Sequence, residues 1–165
     1  MKKEIIGTTK NGCDVYVDME NSHASTHFAD TPKLLAVVKA ILPTVEANED
    51  HMRFDIDTRE EVGTTSLIET NESDEIVYAL RPNRDRYSRF VRNKTPQKTS
   101  WVTIDLKKTD HNAYDLYTAF AGRLTPSFPG GDFLPEQSHD FWSKHALVWG
   151  IQDVVPGTET KDCPW

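Results

Sequence analysis

The sequence predicts an α+β domain with a mainly antiparallel sheet of four to six strands, an N-terminal helix and a C-terminal capping helix. Apolar side chains recur at helical spacing over residues 34–42, whereas residues 52–56 and 101–107 alternate between apolar and polar side chains, as half-buried strands do. A chain of 165 residues is long enough to bury a sizeable core. We therefore predict a single domain over residues 1–155 and a loose tail over residues 156–165.

The first predicted elements are a strand, a polar loop and a helix. Alternation over residues 14–18 predicts the strand, and the polar run at residues 21–27 is typical of a loop. Thr31 and Pro32 are typical of a helix start, because proline at the first helical position loses no hydrogen bond. Pro43 ends this predicted helix, which we expect to pack on the sheet.

Beyond the helix the side-chain period changes to two residues. Strands are predicted over residues 51–57, 64–70 and 75–80, separated by short links. Consecutive strands with short connections favour an antiparallel meander. Pro82 then stops the third strand, because proline cannot donate to a sheet ladder.

A hairpin is predicted in the last third of the sheet. Residues 101–107 form its first strand, and a polar turn at residues 109–112 brings the chain back. Beyond Gly122 prolines and glycines interrupt regular structure, and a short capping helix is predicted to start at Ser138. The returning strand is predicted to place four side chains on one face, namely Tyr114, Leu116, Thr118 and Phe120.

Charge is unevenly distributed along the chain. A net charge of −7 argues against a protein that coats nucleic acid with its whole surface. Residues 81–98 nevertheless hold seven basic side chains and one acidic side chain, a net +6 that leaves −13 for the remainder. We call residues 81–98 the basic segment. This pattern predicts a local anion-binding site on an otherwise acidic protein.

Several classes of protein are disfavoured by what the sequence lacks. No apolar run reaches the roughly 20 residues that a membrane span needs, and no signal-peptide pattern follows the charged start, so we expect a cytoplasmic protein without membrane contact. Cys13 and Cys163 do not make a disulfide framework. His23 and His27 lie in a predicted loop, so no metal site is predicted. No nucleotide-binding or hydrolase motif is present, and no cofactor is expected.

The basic segment supplies the first set of candidate site residues. Arginine forks bind phosphate in a bidentate manner, and aromatic rings can stack on a nucleobase. In the alternative interpretation the arginines are solvated and pair with acidic groups elsewhere, while the aromatic side chains fill the core. The residues concerned are Arg81, Arg84, Arg86, Tyr87, Arg89 and Phe90.

A histidine and a threonine complete the candidate site. An imidazole, with its pKa of about 6.5, serves both halves of acid–base catalysis. We favour His27, because a helix start just after it would attract anions. The hydroxyl of Thr118, beside Phe120, can hydrogen-bond a phosphate oxygen, although threonine also simply suits a strand. His51 is predicted to be solvated, and His145 to be packed in the core.

The last predicted strand resembles a family of nucleases. Residues 114–120 end in Thr118-Ala119-Phe120, which resembles the Thr-x-Tyr or Thr-x-Phe pattern of the barnase–EndoU–colicin–RelE-like nucleases. Residues 74–79, taken with Arg89-Phe90-Val91, are similar to a bacterial and phage group of that fold. The resemblance spans residues 26–120.

This resemblance implies a metal-independent, toxin-type ribonuclease that binds or cleaves RNA. The 2′-hydroxyl of the RNA would attack the phosphorus, so no cofactor would be needed. His27 would be the general acid or base, and Thr118 would position the phosphate. The side chains that would stabilise the extra phosphate charge are one or more of Arg81, Arg84, Arg86 and Arg89.

Two alternatives stay open at the level of the sequence. The −13 outside the basic segment suits a non-enzymatic interaction protein, such as a phage or immunity-type factor that masks a basic protein partner. The basic segment also suits a module that binds phosphate or a nucleotide without turnover. Neither pattern indicates an oligomeric state.

Overall fold

The computed structural model describes residues 3–165. Its helices and strands form an α+β protein, as the sequence predicts. No helix within the described part of the chain is both long and apolar enough to cross a membrane. In chain order the elements are β1 (Lys3–Thr8), β2 (Asp14–Asp18), α1 (His23–Asp30), α2 (Leu34–Ile41), β3 (His51–Asp57), β4 (Gly63–Thr65), β5 (Leu67–Glu69), β6 (Ile76–Leu80), β7 (Tyr87–Val91), β8 (Gln97–Thr99), β9 (Trp101–Asp110), β10 (Ala113–Ala121), α3 (Glu136–Lys144) and β11 (His145–Val148).

Two compact units make up the described chain, where the sequence predicts one domain over residues 1–155. Residues 3–64 and 98–124 form the first unit, and residues 65–97 and 125–165 form the second. Each unit has its own sheet and its own apolar core. We describe the two units separately.

The first unit is built on a five-stranded sheet in the order β1-β2-β10-β9-β3. Its strand pairs are antiparallel except for β2 and β10, which run parallel. One face packs against α1 and α2, whose apolar sides contribute Ala24, Leu34 and Val38 to the core. Fully buried strand residues in that core include Val15, Val17, Ile104 and Leu106.

A β-bulge at Tyr117 divides β10 into two halves. Leu116 pairs with Leu106, but Thr118 pairs with Asp105, so one extra residue lies between them. An extra residue reverses the face that the following side chains occupy. The predicted common face is therefore wrong: Tyr114 and Leu116 lie on the core side, and Thr118 and Phe120 lie on the opposite side.

The second unit is built on a four-stranded sheet in the order β5-β11-β7-β6. Its larger core packs Phe90 and Leu147 of the sheet with Trp142 of α3, whose ring stacks on Phe128 at 3.8 Å between centroids. Strand β7 lies inside the basic segment, which the sequence analysis treats as a connection. Ser88 and Phe90 are buried on one face of this strand, whereas Tyr87 and Arg89 on the other face are half-buried, an alternation typical of a strand.

Strand pairing differs from the predicted meander. Strand β3 pairs with β9, β5 pairs with β11, and β6 pairs with β7, so only the last of these pairs joins sequence neighbours. The predicted strand over residues 64–70 is broken into β4 and β5 at Ser66, and β4 instead forms a two-stranded sheet with β8. The hairpin of β9 and β10 is confirmed, with its turn at His111 and Asn112.

The helices also differ from their predicted positions. Two strands and two helices begin the fold, where the sequence predicts one strand followed by one helix. Helix α1 occupies residues predicted as loop, because Ser22 and Ser25 form a reciprocal capping box at its start. Helix α3 ends at Lys144, and the predicted remainder of the capping helix is strand β11.

The C-terminal tail is held against β6, although the sequence predicts it to be loose. The amide of Tyr78 donates to the carbonyl of Thr160 at 2.7 Å, and the amide of Thr160 donates back at 2.8 Å. The amide of Val155 donates to the carbonyl of Leu80 at 2.7 Å. Trp165 packs edge-on against the ring of Tyr78. These contacts cover part of the edge of β6, whose unpaired backbone groups would otherwise face solvent.

Candidate functional site

The sheet face of the first unit that points away from the core carries a row of polar side chains. We call its central members the polar face, and they occupy directly opposed positions on β3, β9 and β10. Residues directly opposite each other in antiparallel strands lie on the same side of a sheet. The register pairs His51 with Lys107, Arg53 with Asp105, and Asp105 with Thr118. The polar face therefore comprises His51, Arg53, Asp105, Lys107 and Thr118.

At its centre a buried carboxylate holds an exposed imidazole. The Nε2 atom of His51 lies 2.8 Å from Oδ1 of Asp105, and the side chains are 53% and 4% exposed respectively. An ionised carboxylate can only accept hydrogen bonds, so Nε2 carries the proton and Nδ1 is the acceptor in the neutral ring. This pair thus fixes both the orientation and the tautomer of an imidazole that is open to solvent.

Cationic side chains flank this pair. The Nε atom of Arg53 lies 3.8 Å from Oδ2 of Asp105, so the buried carboxylate has a second partner. The Nζ atom of Lys107 lies 3.7 Å from the centroid of the Tyr117 ring. Arg53 thus places positive charge beside Asp105, and Lys107 places it over Tyr117 on the neighbouring strand. Such an arrangement can attract a phosphate and stabilise the charge that develops on it.

His27 lies on α1, in the same unit as the polar face. Its ring centroid is 6.0 Å from that of Phe120, two residues beyond Thr118. Partial burial lowers the pKa of His27, nearby Asp30 opposes this effect by raising it, and His23 adds a further small lowering of the pKa. The predicted position of His27 ahead of a helix start is wrong, because it lies in the last turn of α1.

Arg81 of the basic segment lies in the second unit and is engaged in internal hydrogen bonds. Its Nε atom donates to Oγ of Ser88 at 2.9 Å, and Nη1 donates to Oε1 of Gln152 at 2.5 Å. Burial lowers the pKa of Arg81, and the positive charge of Arg84 lowers it further. The guanidinium group is thus anchored to neutral partners.

Arg89 ties together elements of the second unit. Its Nη1 atom donates to Oγ1 of Thr70 and to the backbone carbonyl of His145, both at 2.9 Å. Thr70 follows β5, and His145 begins β11. A phosphate would have to compete with both acceptors for this nitrogen.

The other candidates in the basic segment differ in how accessible they are. Arg84 is exposed, whereas Arg86 donates weakly to the carbonyl of Phe128 at 3.4 Å and lies over the ring of Phe133. Tyr87 is half-buried at the start of β7. Phe90 is fully buried in the core, so a nucleobase cannot stack on it unless that core opens.

The nine candidate residues are therefore divided between the two units. His27, Thr118 and Phe120 belong to the first unit, and the structure places His27 against Phe120. Neither unit by itself contains the whole predicted set. The candidates in the second unit are Arg81, Arg84, Arg86, Tyr87, Arg89 and Phe90.

Sequence reasoning missed the pairing of His51 with Asp105. Alternation already predicts that Arg53 and Asp105 lie on the polar sides of their strands. What the pattern could not supply was the pairing of β3 with β9, which joins residues 54 positions apart. With that pairing, the polar sides of two separate strands become one surface.

The part of the chain that the structure describes holds no metal-ligand cluster, and its two cysteines are free thiols. Residues 3–165 contain no group of three or more His, Cys, Asp or Glu side chains arranged to hold a metal ion. Cys13 is a buried free thiol, and Cys163 is an exposed one. The polar face brings together acid–base, cationic and hydroxyl groups. Comparison of the chain with protein-family models, with curated proteins and with solved structures finds no match.

Proposed function

We propose that the polar face is the site of a metal-independent, ribonuclease-type protein that binds and cleaves RNA. One observation carries this proposal: the exposed imidazole of His51 is held at 2.8 Å by the buried carboxylate of Asp105. A carboxylate behind an imidazole orients the ring and fixes its tautomer, so that the other ring nitrogen can act as a general base. The nearby cations and the hydroxyl of Thr118 complete a site suited to a phosphodiester.

The proposed reaction needs only groups of the RNA and the protein, together with water. The Nδ1 atom of His51 takes the proton of the ribose 2′-hydroxyl, and the 2′-oxygen forms a bond to phosphorus. The bond from phosphorus to the 5′-oxygen breaks, and the leaving oxygen takes a proton from solvent. The products are a 2′,3′-cyclic phosphate and a free 5′-hydroxyl. The protonated imidazole then returns its proton to water.

The remaining side chains of the polar face have supporting roles in this proposal. Arg53 and Lys107 neutralise the extra negative charge of the pentacoordinate phosphate. The hydroxyl of Thr118 donates a hydrogen bond to a phosphate oxygen. His27 is a second acid–base candidate in the same unit, because its lowered pKa keeps the ring neutral near neutral pH.

The basic segment of the second unit has a different role in the proposal. The guanidinium groups of Arg81 and Arg89 make internal hydrogen bonds, which favours structural functions for them. Arg84 is exposed and can attract RNA phosphates through charge alone. We therefore propose that this segment contributes to RNA binding and not to the chemical step.

A cleavage assay with matched variants tests this function. Purified protein is incubated with a labelled RNA in the presence of a chelator, and the cyclic-phosphate product is quantified. We expect His51→Ala to lower the rate about 10²- to 10⁴-fold. His111→Ala, at an exposed histidine in the turn between β9 and β10, is expected to leave the rate unchanged. Intact RNA with the unaltered protein, or equal rates for the two variants, would overturn the proposal.

A further inference from the structure

A cavity of about 370 Å³ opens in the first unit next to the polar face. It lies where β2, β10 and the start of α1 meet, and the bulge residue Tyr117 forms part of its wall. Other side chains that line it and bear on the argument are Tyr16, Asp18, His23 and Asp115. The mechanism proposed above uses none of these residues.

We propose that this cavity is a nucleobase subsite that seats the base next to the scissile phosphate and favours bases with an exocyclic amino group. The inference rests on the proposed function, since it concerns the substrate of the same site. It assigns to the cavity a ligand class, namely adenine, cytosine or guanine in preference to uracil.

Aromatic rings supply the stacking surface of the cavity. Tyr117 is 46% exposed, because it follows the core-facing Leu116 and its side chain therefore lies on the outer face of the sheet. Tyr16 lines the same cavity from β2 and is half-buried. Every nucleobase has a π-face that can stack on such a ring. Two tyrosines in one cavity therefore favour a flat, unsaturated ligand.

Tyr117 also connects the cavity to the polar face. Its ring lies 3.7 Å from the Nζ atom of Lys107, and Lys107 is directly opposite His51 in the sheet. Because the ammonium group covers one face of the Tyr117 ring, a base would stack on the other face, with Lys107 as the nearest cation for its phosphate. The geometry therefore joins a place for the base to a place for the phosphate within one unit.

Carboxylates in the cavity wall supply the selectivity. Oδ2 of Asp115 accepts a hydrogen bond from Nζ of Lys3 at 2.7 Å. Oδ1 of Asp18 accepts from the amides of Glu20 and Asn21, at 3.0 and 3.1 Å. A carboxylate has about four acceptor positions, so both groups retain capacity for a donor on a ligand. Exocyclic amino groups are such donors, whereas the N3–H of uracil lies between two carbonyl oxygens that a carboxylate repels.

Binding measurements with mononucleotides test the subsite. The 3′-monophosphates of the four nucleosides are titrated into the full chain by calorimetry and NMR, with ribose phosphate as the reference without a base. We expect the amino-bearing nucleotides to bind about tenfold more tightly than ribose phosphate. Tyr117→Leu is expected to remove that advantage, whereas Tyr117→Phe, which keeps the ring, retains it. In the unaltered protein, changes in the NMR chemical shifts of the backbone amides at residues 115–118 and 21–23 on addition of a nucleotide support the location without any variant.

Each outcome bears on a single proposal. Equal binding of ribose phosphate and the nucleotides, or an undiminished advantage in a folded Tyr117→Leu protein, overturns the subsite. Nucleotide-induced changes in amide chemical shifts that lie away from residues 115–118 overturn the subsite as well. A protein that cleaves RNA but shows no base preference retains the proposed function and loses the subsite. A protein that binds the nucleotides at Tyr117 but cleaves no RNA retains the subsite and loses the function.

Discussion

The imidazole Nε2 of His51 lies 2.8 Å from Oδ1 of Asp105, and this contact joins two strands that are far apart in the chain. The carboxylate is almost fully buried, whereas the imidazole is about half exposed. A buried carboxylate needs polar partners; here His51 contributes a hydrogen bond and Arg53 a longer ion pair at 3.8 Å. Because the carboxylate is fixed by the sheet, it also fixes the ring that contacts it.

The first prediction concerns the tautomer of His51. Asp105→Asn replaces an acceptor by an amide that can donate to Nε2, so the ring would present its proton at Nδ1 instead. We expect the rate of RNA cleavage to fall at least about tenfold while the fold persists. Cleavage kinetics and circular dichroism measure the two effects. Asp110→Asn, at an exposed position on the same strand, is the control. Comparable rates for the two variants would exclude an orienting role for Asp105.

The second prediction separates a structural role from a catalytic role for Arg89. Arg89→Lys keeps the charge but cannot reach both Thr70 and the carbonyl of His145. We expect the free energy of unfolding to fall by about 1–3 kcal/mol, and Arg84→Lys, at an exposed position, to change it by less than about 0.5 kcal/mol. Urea denaturation measures both. If Arg89→Lys abolished cleavage without changing stability, the internal hydrogen bonds would not explain this residue.

Local patterns predicted those parts of the fold that depend on neighbours in sequence. Alternation correctly predicted β2, β3 and the hairpin of β9 and β10. The α+β class follows from the same periodicities. These predictions succeeded because side-chain period and turn residues act within a few positions of each other.

The parts of the fold that the sequence did not predict depend on pairing between strands that are far apart in the chain. Strand β3 pairs with β9 across a gap of more than forty residues, and β11 pairs with β5 and β7 after an irregular stretch. The candidate site depends on the first of these pairings, which creates the contact of His51 with Asp105. The bulge at Tyr117 has no local signal either, since Thr118 would continue the alternation equally well without it.

The third prediction concerns the pH dependence of stability. Burial holds the pKa of His27 below its usual value of about 6.5. The unfolded chain has the usual pKa, and the folded chain has the lower one. Between the folded and the unfolded pKa of His27 the unfolded chain binds more protons than the folded chain, so the free energy of unfolding rises with pH across that window. The contribution of His27 is fully present above about pH 6.5 and is lost as the pH falls through the folded pKa.

Removal of the imidazole should reduce this pH dependence. We expect His27→Gln to lose less stability than the unaltered protein when the pH is lowered from 7.5 to 5. Urea denaturation at both values measures the difference, and NMR titration gives the pKa of His27 directly. His111→Gln, at an exposed position, should behave like the unaltered protein. A pKa for His27 at or above 6.5 would contradict the prediction.

The fourth prediction concerns the tail, which the sequence did not show to be ordered. Thr160 exchanges two backbone hydrogen bonds with Tyr78, at 2.7 and 2.8 Å, on an edge of the second unit's sheet. Thr160→Pro removes the donor of one bond and restricts the backbone. Lys161→Ala, at the exposed neighbouring position, keeps every backbone donor and is the matched control.

Hydrogen exchange at the amide of Tyr78 reports on this pairing. That amide donates to Thr160 in the structure, so we expect slow exchange in the unaltered protein and in Lys161→Ala. In Thr160→Pro we expect exchange to become at least about tenfold faster, because the tail can then leave β6 at lower cost in free energy. Fast exchange in the unaltered protein would mean that the tail is loose after all. Unchanged exchange in Thr160→Pro would mean that contacts such as that of Trp165 with Tyr78 hold the tail without the paired backbone hydrogen bonds of Thr160 and Tyr78.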